Sequence, residues 1–128
     1  DEPATLLRNA APLIAADGTL VVTVPGGPMS AFDKHLGHRR HFTKAALKDV
    51  LEDAGFELKK ISAAGFPTFN LYRLTVLLRG EKLINDTEGS PPLLARLVMM
   101  MFSVLLYIGL PNSPWGWQIV ALAKKRAA

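Results

Sequence analysis

Seven basic or histidine side chains lie close together between residues 34 and 44. They are Lys34, His35, His38, Arg39, Arg40, His41 and Lys44. The adjacent arginines carry forked donor groups that match a phosphate or a carboxylate, so we interpret this cationic loop as facing an anionic ligand. Alternatively, the side chains are solvated, or one arginine pairs with Asp33 or Asp49. We predict no metal site at the histidines, because no carboxylate is suitably spaced and the arginines would repel a cation.

A predicted helix follows the cationic loop and positions it. Thr43 can cap the helix start by accepting a hydrogen bond from an unpaired backbone N–H group. The apolar residues at helical spacing, which predict one buried face, are Leu47, Val50, Leu51 and Ala54. Gly55 suits the left-handed conformation that ends many helices. The stretch Phe32–Lys60 therefore places basic groups at the start of a helix whose apolar face is predicted to be buried.

Two predicted strands flank this helix. The run Thr19–Val24 is mostly β-branched with little alternation, which predicts a strand covered on both faces. Phe56–Ala64 is the second strand. A strand, a helix and a strand at this spacing are typical of a βαβ unit, in which the two strands run parallel. Trp115–Lys125 is predicted to be the last strand.

Helices are predicted for most of the remaining chain. The first covers Asp1–Ala16 and kinks or ends at Pro12, because an interior proline removes a backbone hydrogen bond. The second covers Phe69–Leu83 and is followed by a polar loop, Asn85–Gly89.

A very apolar helix is predicted over Leu93–Ile108. Its start is marked by Ser90, Pro91 and Pro92, a capping side chain followed by prolines. The run from Leu97 to Leu110 is shorter than the ~20 residues that a membrane-spanning helix needs. We therefore favour burial of this helix in the core over contact with a membrane.

The composition excludes several classes of function. The 128 residues suffice for a single domain with a core. A net charge of +4 permits attraction to phosphate, nucleic acid or anionic lipid without requiring any of them, and no nucleic-acid recognition motif is present. The absence of cysteine excludes disulfides and thiolate catalysis. The acidic start is unlike a secretory leader, so we expect a cytoplasmic location.

Three segments, in the same order, resemble class I S-adenosylmethionine-dependent methyltransferases of the ubiquinone/menaquinone methyltransferase-like type. DEPATLLRNAAPLIAADGTLVVTVPG is similar to a helix that leads into a strand ending in Val-Pro. FDKHLGHRRHFTKAALKDVLEDAGFELKK resembles the family passage that contains Gly-His, paired arginines and Ala-Gly-Phe. WGWQIVALAKK is similar to the family's last strand, which enters the sheet antiparallel. The resemblance covers most of residues 1–65 and 115–125.

The resemblance implies an α/β fold with a partial Rossmann-like methyltransferase sheet of three strands and helices on both faces. Thr19–Val24 and Phe56–Ala64 would run parallel, with Trp117–Ala123 antiparallel between them. Residues 1–128 would form a single domain, the C-terminal part of a methyltransferase domain. Residues 66–112 would form a helical cap inserted between the last two strands.

The cofactor-binding elements of this family lie upstream of the segments that match. A glycine-rich loop after the family's first strand holds S-adenosylmethionine, and an acidic residue after the second strand holds its ribose. Gly26-Gly27 leads into Pro28 rather than into a helix, so it is a turn and not such a loop. The resemblance therefore implies the acceptor-binding half of a transferase, which needs a missing N-terminal half and binds no S-adenosylmethionine alone.

In the family, the loop that follows the strand corresponding to Thr19–Val24 lies over the methyl-acceptor pocket. The implied substrate-binding residues are His35, His38, Arg39, Arg40 and Phe42. Either His35 or His38 could act as a general base, because histidine titrates near neutral pH. The aromatic residues that could line the pocket, with core packing as the alternative, are Phe32, Phe42, Phe66, Phe69 and Tyr72. The acceptor would be a small molecule or a lipid-linked group.

Non-enzymatic interpretations remain open beside this one. An incomplete sheet leaves an open strand edge and an apolar surface, which favours self-association into a dimer or another homo-oligomer. The apolar helix and nearby basic residues could also bind a membrane surface peripherally, which would bring the chain to a lipid-linked acceptor. Nucleic acid is not an expected partner.

Overall fold

The computed structural model describes residues 2–86 and 93–126. The elements, in chain order, are α1 (Pro3–Ala10), a 3-10 turn (Ala11–Leu13), β1 (Thr19–Pro25), α2 (Ala31–His35), α3 (Lys44–Asp53), β2 (Phe56–Ala64), α4 (Thr68–Asp86), α5 (Leu93–Leu105), a second 3-10 turn (Leu106–Ile108) and β3 (Gln118–Lys125). The first two residues of the predicted loop Asn85–Gly89 belong to α4. The rest of that loop and the predicted helix start Ser90–Pro92 lie outside the described residues, as does Asp1.

The chain has an α/β fold with one open, three-stranded sheet of strand order β1–β3–β2. β3 pairs antiparallel with β1 from Thr19↔Lys124 to Pro25↔Gln118, and antiparallel with β2 on its other side. It follows that β1 and β2 run in the same direction. The predicted strand directions and the central position of the last strand are therefore confirmed.

The last strand starts three residues later than predicted, at Gln118 instead of Trp115. The side chain of Asn70, on α4, explains the difference. Its Nδ2 donates to the Trp115 carbonyl at 2.6 Å, and its Oδ1 accepts from the Trp117 backbone N–H at 3.2 Å. The Trp115 carbonyl and the Trp117 N–H are thus bonded to a side chain of a helix rather than to a neighbouring strand.

The hydrophobic core lies between α3 and one face of the sheet, and α1 contacts α3 and contributes Ala4 to the same core. As predicted, Thr43 caps α3, because its Oγ1 accepts from the Ala46 N–H at 3.1 Å, and Gly55 adopts a positive φ of 86° just beyond the helix. Leu47 and Leu51 of α3 and Phe56 of β2 are the largest fully buried side chains. This packing fixes the start of α3, and with it the end of the cationic loop.

β1 is covered on one face only, which corrects the prediction that both faces are buried. Its residues alternate between half-buried and exposed, and Val21 is 59% exposed. The half-buried side chains of Leu20, Val22 and Val24 point to the core. The opposite face finds no cover within residues 2–86 and 93–126, so the β-branched composition indicates strand propensity here rather than two-sided burial.

The first helix is shorter than predicted. The α-helical part ends at Ala10, and a 3-10 turn over Ala11–Leu13 follows. Pro12 lies inside that turn and has no N–H with which to continue the α-helical hydrogen bonds. The predicted interruption at Pro12 is therefore confirmed.

The apolar helix α5 is exposed rather than buried, which corrects the expectation from the sequence. Phe102 is its buried residue, and it contacts Tyr72 of α4 edge to face with 5.6 Å between ring centroids. Met100, in contrast, is 61% exposed, and Met99, Met101 and Val104 are exposed to a similar degree. The helix is apolar except for Arg96 and Ser103, but in the part of the chain that the structure describes it packs chiefly against α4 and the 3-10 turn that follows it. None of the described helices has both the length and the hydrophobicity to cross a membrane.

Candidate functional site

The site is organised around Asp33, which lies in the first turn of the short helix α2. Ser30 caps this helix, since its Oγ accepts from the Asp33 N–H at 3.1 Å. In return, Oδ2 of Asp33 accepts from the Ser30 N–H at 2.8 Å and from the Ser30 hydroxyl at 2.7 Å. This reciprocal pattern is a capping box. It holds a carboxylate that is only 2% exposed in a single orientation.

Arg73, from the facing helix α4, forms a buried ion pair with Asp33. Its Nη1 donates to Oδ1 at 2.9 Å and its Nη2 donates to Oδ2 at 2.6 Å. A further contact of 3.4 Å joins Nη2 to the Pro28 carbonyl. Two parallel hydrogen bonds give this pair a defined geometry, and the pair ties α2 to α4. The partner that the structure shows for Asp33 in this pair, Arg73, lies outside the cationic loop.

The pKa of Asp33 is held well below its usual value. Burial by itself would raise this pKa, because it disfavours the charged carboxylate, but the hydrogen bonds from Arg73 and Ser30 outweigh burial and lower it. Asp33 is therefore ionised in the folded protein throughout the physiological pH range.

This shift predicts acid sensitivity. Because the pKa of Asp33 is lower in the folded state than in the unfolded state, its contribution to stability is complete above about pH 4 and is lost as the pH falls towards the folded-state pKa. As the pH falls below about 4, the free energy of unfolding should decrease less steeply in Asp33→Asn than in the parent chain. We expect the two slopes to differ by up to about 1.4 kcal/mol per pH unit. Urea denaturation at several pH values measures this slope. The exposed Asp17 provides the control, Asp17→Asn, and equal slopes for the two variants would contradict the prediction.

Two histidines of the cationic loop approach Asp33. Nδ1 of His38 lies 3.7 Å from Oδ1, and Nε2 of His41 lies 3.8 Å from Oδ2. The His41 ring is fixed by a contact of 3.1 Å between its Nδ1 and the Gly27 carbonyl. The two rings meet edge to face, with 6.0 Å between centroids. The premise that no carboxylate lies near these histidines is therefore wrong, because the chain after α2 brings His38 and His41 back to Asp33.

A cavity of about 300 Å³ opens beside the ion pair, between α2 and α4. Its lining combines apolar side chains with the polar groups at one end: Pro25, Phe32, Asp33, Leu36, His38, Phe69, Tyr72, Arg73 and Val76. Three of the five aromatic residues named as pocket candidates, Phe32, Phe69 and Tyr72, belong to this lining. Such a cavity suits a ligand with an apolar body and a polar or charged end.

The other predicted site residues lie outside this lining. His35 is exposed at the end of α2, so of the two candidate bases it is His38 that faces the cavity. Arg40 is placed over the ring of Phe42, with 5.1 Å from Cζ to the ring centroid, and Phe42 packs against the core. Arg39 is exposed. The structure therefore brings one of the five predicted substrate-binding residues, His38, to the cavity.

Sequence reasoning missed Arg73, although a signal was present. Arg73 is the charged residue among the apolar Phe69, Tyr72 and Val76 on one side of a helix, and a buried charge in such a place needs a partner. Asp33 carried a signal too, because Ser30 precedes it by three residues in a capping-box pattern. What the sequence did not provide was the packing of α2 against α4, which brings residues 40 positions apart into contact.

Comparison of the chain with protein-family models, with curated protein sequences and with solved structures gave no match.

Proposed function

We propose that residues 1–128 are the acceptor-binding half of a class I S-adenosylmethionine-dependent methyltransferase, and that the methyl acceptor occupies the cavity between α2 and α4. The observation that carries the proposal is the strand order. β3 runs antiparallel between two strands that share one direction, which is the arrangement that the resemblance requires of the family's last three strands.

The outer side of β1 gives further support. β1 pairs with β3 and, among the described residues, has no second strand neighbour. Its exposed face carries Val21, and the neighbouring Leu122 of β3 is exposed as well. An open edge beside an uncovered apolar face is a place where further strands and helices pack. We assign this edge to the missing half of the sheet, which would bring the S-adenosylmethionine site of the parent enzyme.

The cavity suggests how the acceptor is held. Phe32, Phe69 and Tyr72 would contact its apolar body, and His38 and the Asp33–Arg73 pair would face its reacting end. In the transfer, the acceptor atom forms a bond to the methyl carbon while the bond from that carbon to the sulfonium breaks and leaves a neutral thioether. The acceptor's proton must pass to a base, and His38 is the cavity side chain whose imidazole we assign to that role. Orientation within the cavity would supply much of the rate enhancement.

Calorimetric titration with S-adenosylmethionine tests the proposal. The donor should not bind to the 128-residue chain alone, because the family's cofactor-binding elements correspond to a preceding segment. It should bind to the polypeptide extended through the preceding reading frame. Binding by the isolated chain, or no binding by a folded extended polypeptide, would contradict the proposal.

A second candidate function, a self-associating interaction module, is favoured by the exposed apolar surface of α5. Sedimentation velocity should detect a dimer or larger oligomer of the isolated chain. Met100→Lys, in the middle of this surface, should shift the chain towards monomer, whereas Leu13→Lys, at an exposed position outside α5, should not. A chain that is monomeric at every concentration would exclude self-association, and flotation with anionic vesicles would then test whether α5 contacts a membrane surface.

A further inference from the structure

We propose that Asp33, His38 and His41 form a zinc-binding site at the polar end of the cavity. Each of the three side chains offers one ligand atom, and the three ligand atoms all lie within 4.8 Å of one another. His38 Nδ1 lies 3.7 Å from Oδ1 of Asp33, and His41 Nε2 lies 3.8 Å from Oδ2 of the same carboxylate. Zinc bonds of 2.0–2.1 Å in a tetrahedron separate neighbouring ligand atoms by about 3.3 Å. Small side-chain rotations would therefore close the three groups around one ion.

His41 supplies an independent reason to infer a ligand. Its side chain is 5% exposed, and its Nδ1 must carry the proton, because the Gly27 carbonyl can only accept. In the neutral ring this leaves a lone pair on Nε2, which is buried and has no hydrogen-bond partner among the described residues. The lone pair faces a carboxylate oxygen, which is unfavourable unless a cation or a proton lies between them. A backbone carbonyl that fixes the tautomer is also the usual support of a histidine that binds metal.

The oxygen of Asp33 that would bind the metal is assigned by counting the hydrogen bonds that each of its two oxygens already accepts. Among the described residues, Oδ2 accepts hydrogen bonds from the Ser30 N–H, the Ser30 hydroxyl and Arg73 Nη2, whereas Oδ1 accepts one, from Arg73 Nη1. A lone pair of Oδ1 is therefore available beside His38. Two imidazoles and one carboxylate oxygen form a donor set that zinc accepts, and three protein ligands leave a fourth position open.

The charges around the ion predict the class of the fourth ligand. Arg73 already neutralises Asp33, and the two imidazoles bind as neutral groups, so a zinc ion would give the site a net charge of about two positive units. An anionic oxygen, such as a carboxylate, phenolate or enolate, is the complementary occupant of the open position. The guanidinium of Arg40 lies over the ring of Phe42.

This inference does not rest on the proposed methyl transfer, because metal binding is measured without a methyl donor. If both hold, His38 acts as a metal ligand rather than as a free base. The ion would then lower the pKa of an acceptor hydroxyl bound to it.

Titration of the 128-residue chain with zinc chloride, and with cobalt(II) as a spectroscopic substitute, tests the site. We expect equimolar binding, with the visible absorption of four-coordinate cobalt. His38→Gln and His41→Gln should each weaken binding by about tenfold or more. The exposed His35 is the matched control, and His35→Gln should bind as the parent chain does. Circular dichroism of each variant shows whether it is folded.

Two results would overturn the proposal. One is the lack of equimolar binding by the folded parent chain. The other is binding that persists in His38→Gln and His41→Gln, which would show an adventitious site elsewhere. Nitrogen NMR of the imidazoles provides an independent readout. On addition of zinc, the lone pair of His41 Nε2 should coordinate the metal. A His41 ring that stays protonated on both nitrogens would count against the site.

Discussion

Asp33→Ala is expected to lower the free energy of unfolding by about 3–5 kcal/mol. The substitution leaves Arg73 as an uncompensated buried charge, because both Nη groups lose their carboxylate partner. It also removes the acceptor of the Ser30 N–H and hydroxyl, and with it one half of the capping box at the start of α2. Urea denaturation at neutral pH measures the total.

The matched control is a surface ion pair of the same chain. Arg8 Nη1 and Asp53 Oδ2 are 3.1 Å apart, and their side chains are 49% and 65% exposed. Asp53→Ala should therefore cost no more than about 1 kcal/mol. Both substitutions remove an aspartate carboxylate from an arginine, so the additional cost of Asp33→Ala measures the burial of its pair together with its bonds to Ser30. A cost for Asp33→Ala close to that of Asp53→Ala would contradict the assignment of Asp33 as the organising residue of the site.

Leu51→Ala is expected to lower the free energy of unfolding by about 2–5 kcal/mol. Leu51 is fully buried on the face of α3 that packs against the sheet, so the truncation loses apolar burial and leaves a cavity. The same substitution at Leu6, which is 70% exposed on α1, should change stability by no more than about 0.5 kcal/mol. Both positions are helical, so the difference in helix propensity between leucine and alanine affects both variants equally and cancels in the comparison.

Urea denaturation of the two variants measures this difference. A result in which both variants lose the same free energy would show that α3 does not pack on the sheet in solution. That outcome would also remove the support for the position of the cationic loop, because α3 begins at its end.

Local sequence signals were sufficient for α3 and for the approximate positions of the strands, although β3 starts at Gln118 rather than at Trp115. Thr43, the spacing of Leu47 and Leu51, and Gly55 act through bonds and contacts within a few residues, and each was predicted correctly. The position of β3 between β1 and β2 was expected from the resemblance rather than from periodicity, since strand order depends on contacts between distant segments.

The site could be predicted only in part for the same reason. His38 was recognised by its type, but its contact with Asp33 depends on how α2 packs against α4. Burial of His41 Nε2 depends on the Gly27 carbonyl, 14 residues earlier in the chain. The exposure of α5 was not predicted. An apolar sequence indicates that a helix can be buried, but it does not show whether another part of the chain covers it.

Transfer of a labelled methyl group tests the central claim most directly. The polypeptide extended through the preceding reading frame is incubated with S-adenosylmethionine labelled in its methyl group and with small-molecule and lipid extracts as acceptors. The proposal predicts that label enters an acceptor, that the 128-residue chain alone transfers none, and that His38→Gln slows transfer far more than His35→Gln. A folded extended polypeptide that transfers no label to either extract, or transfer that is equally fast in both variants, would contradict it.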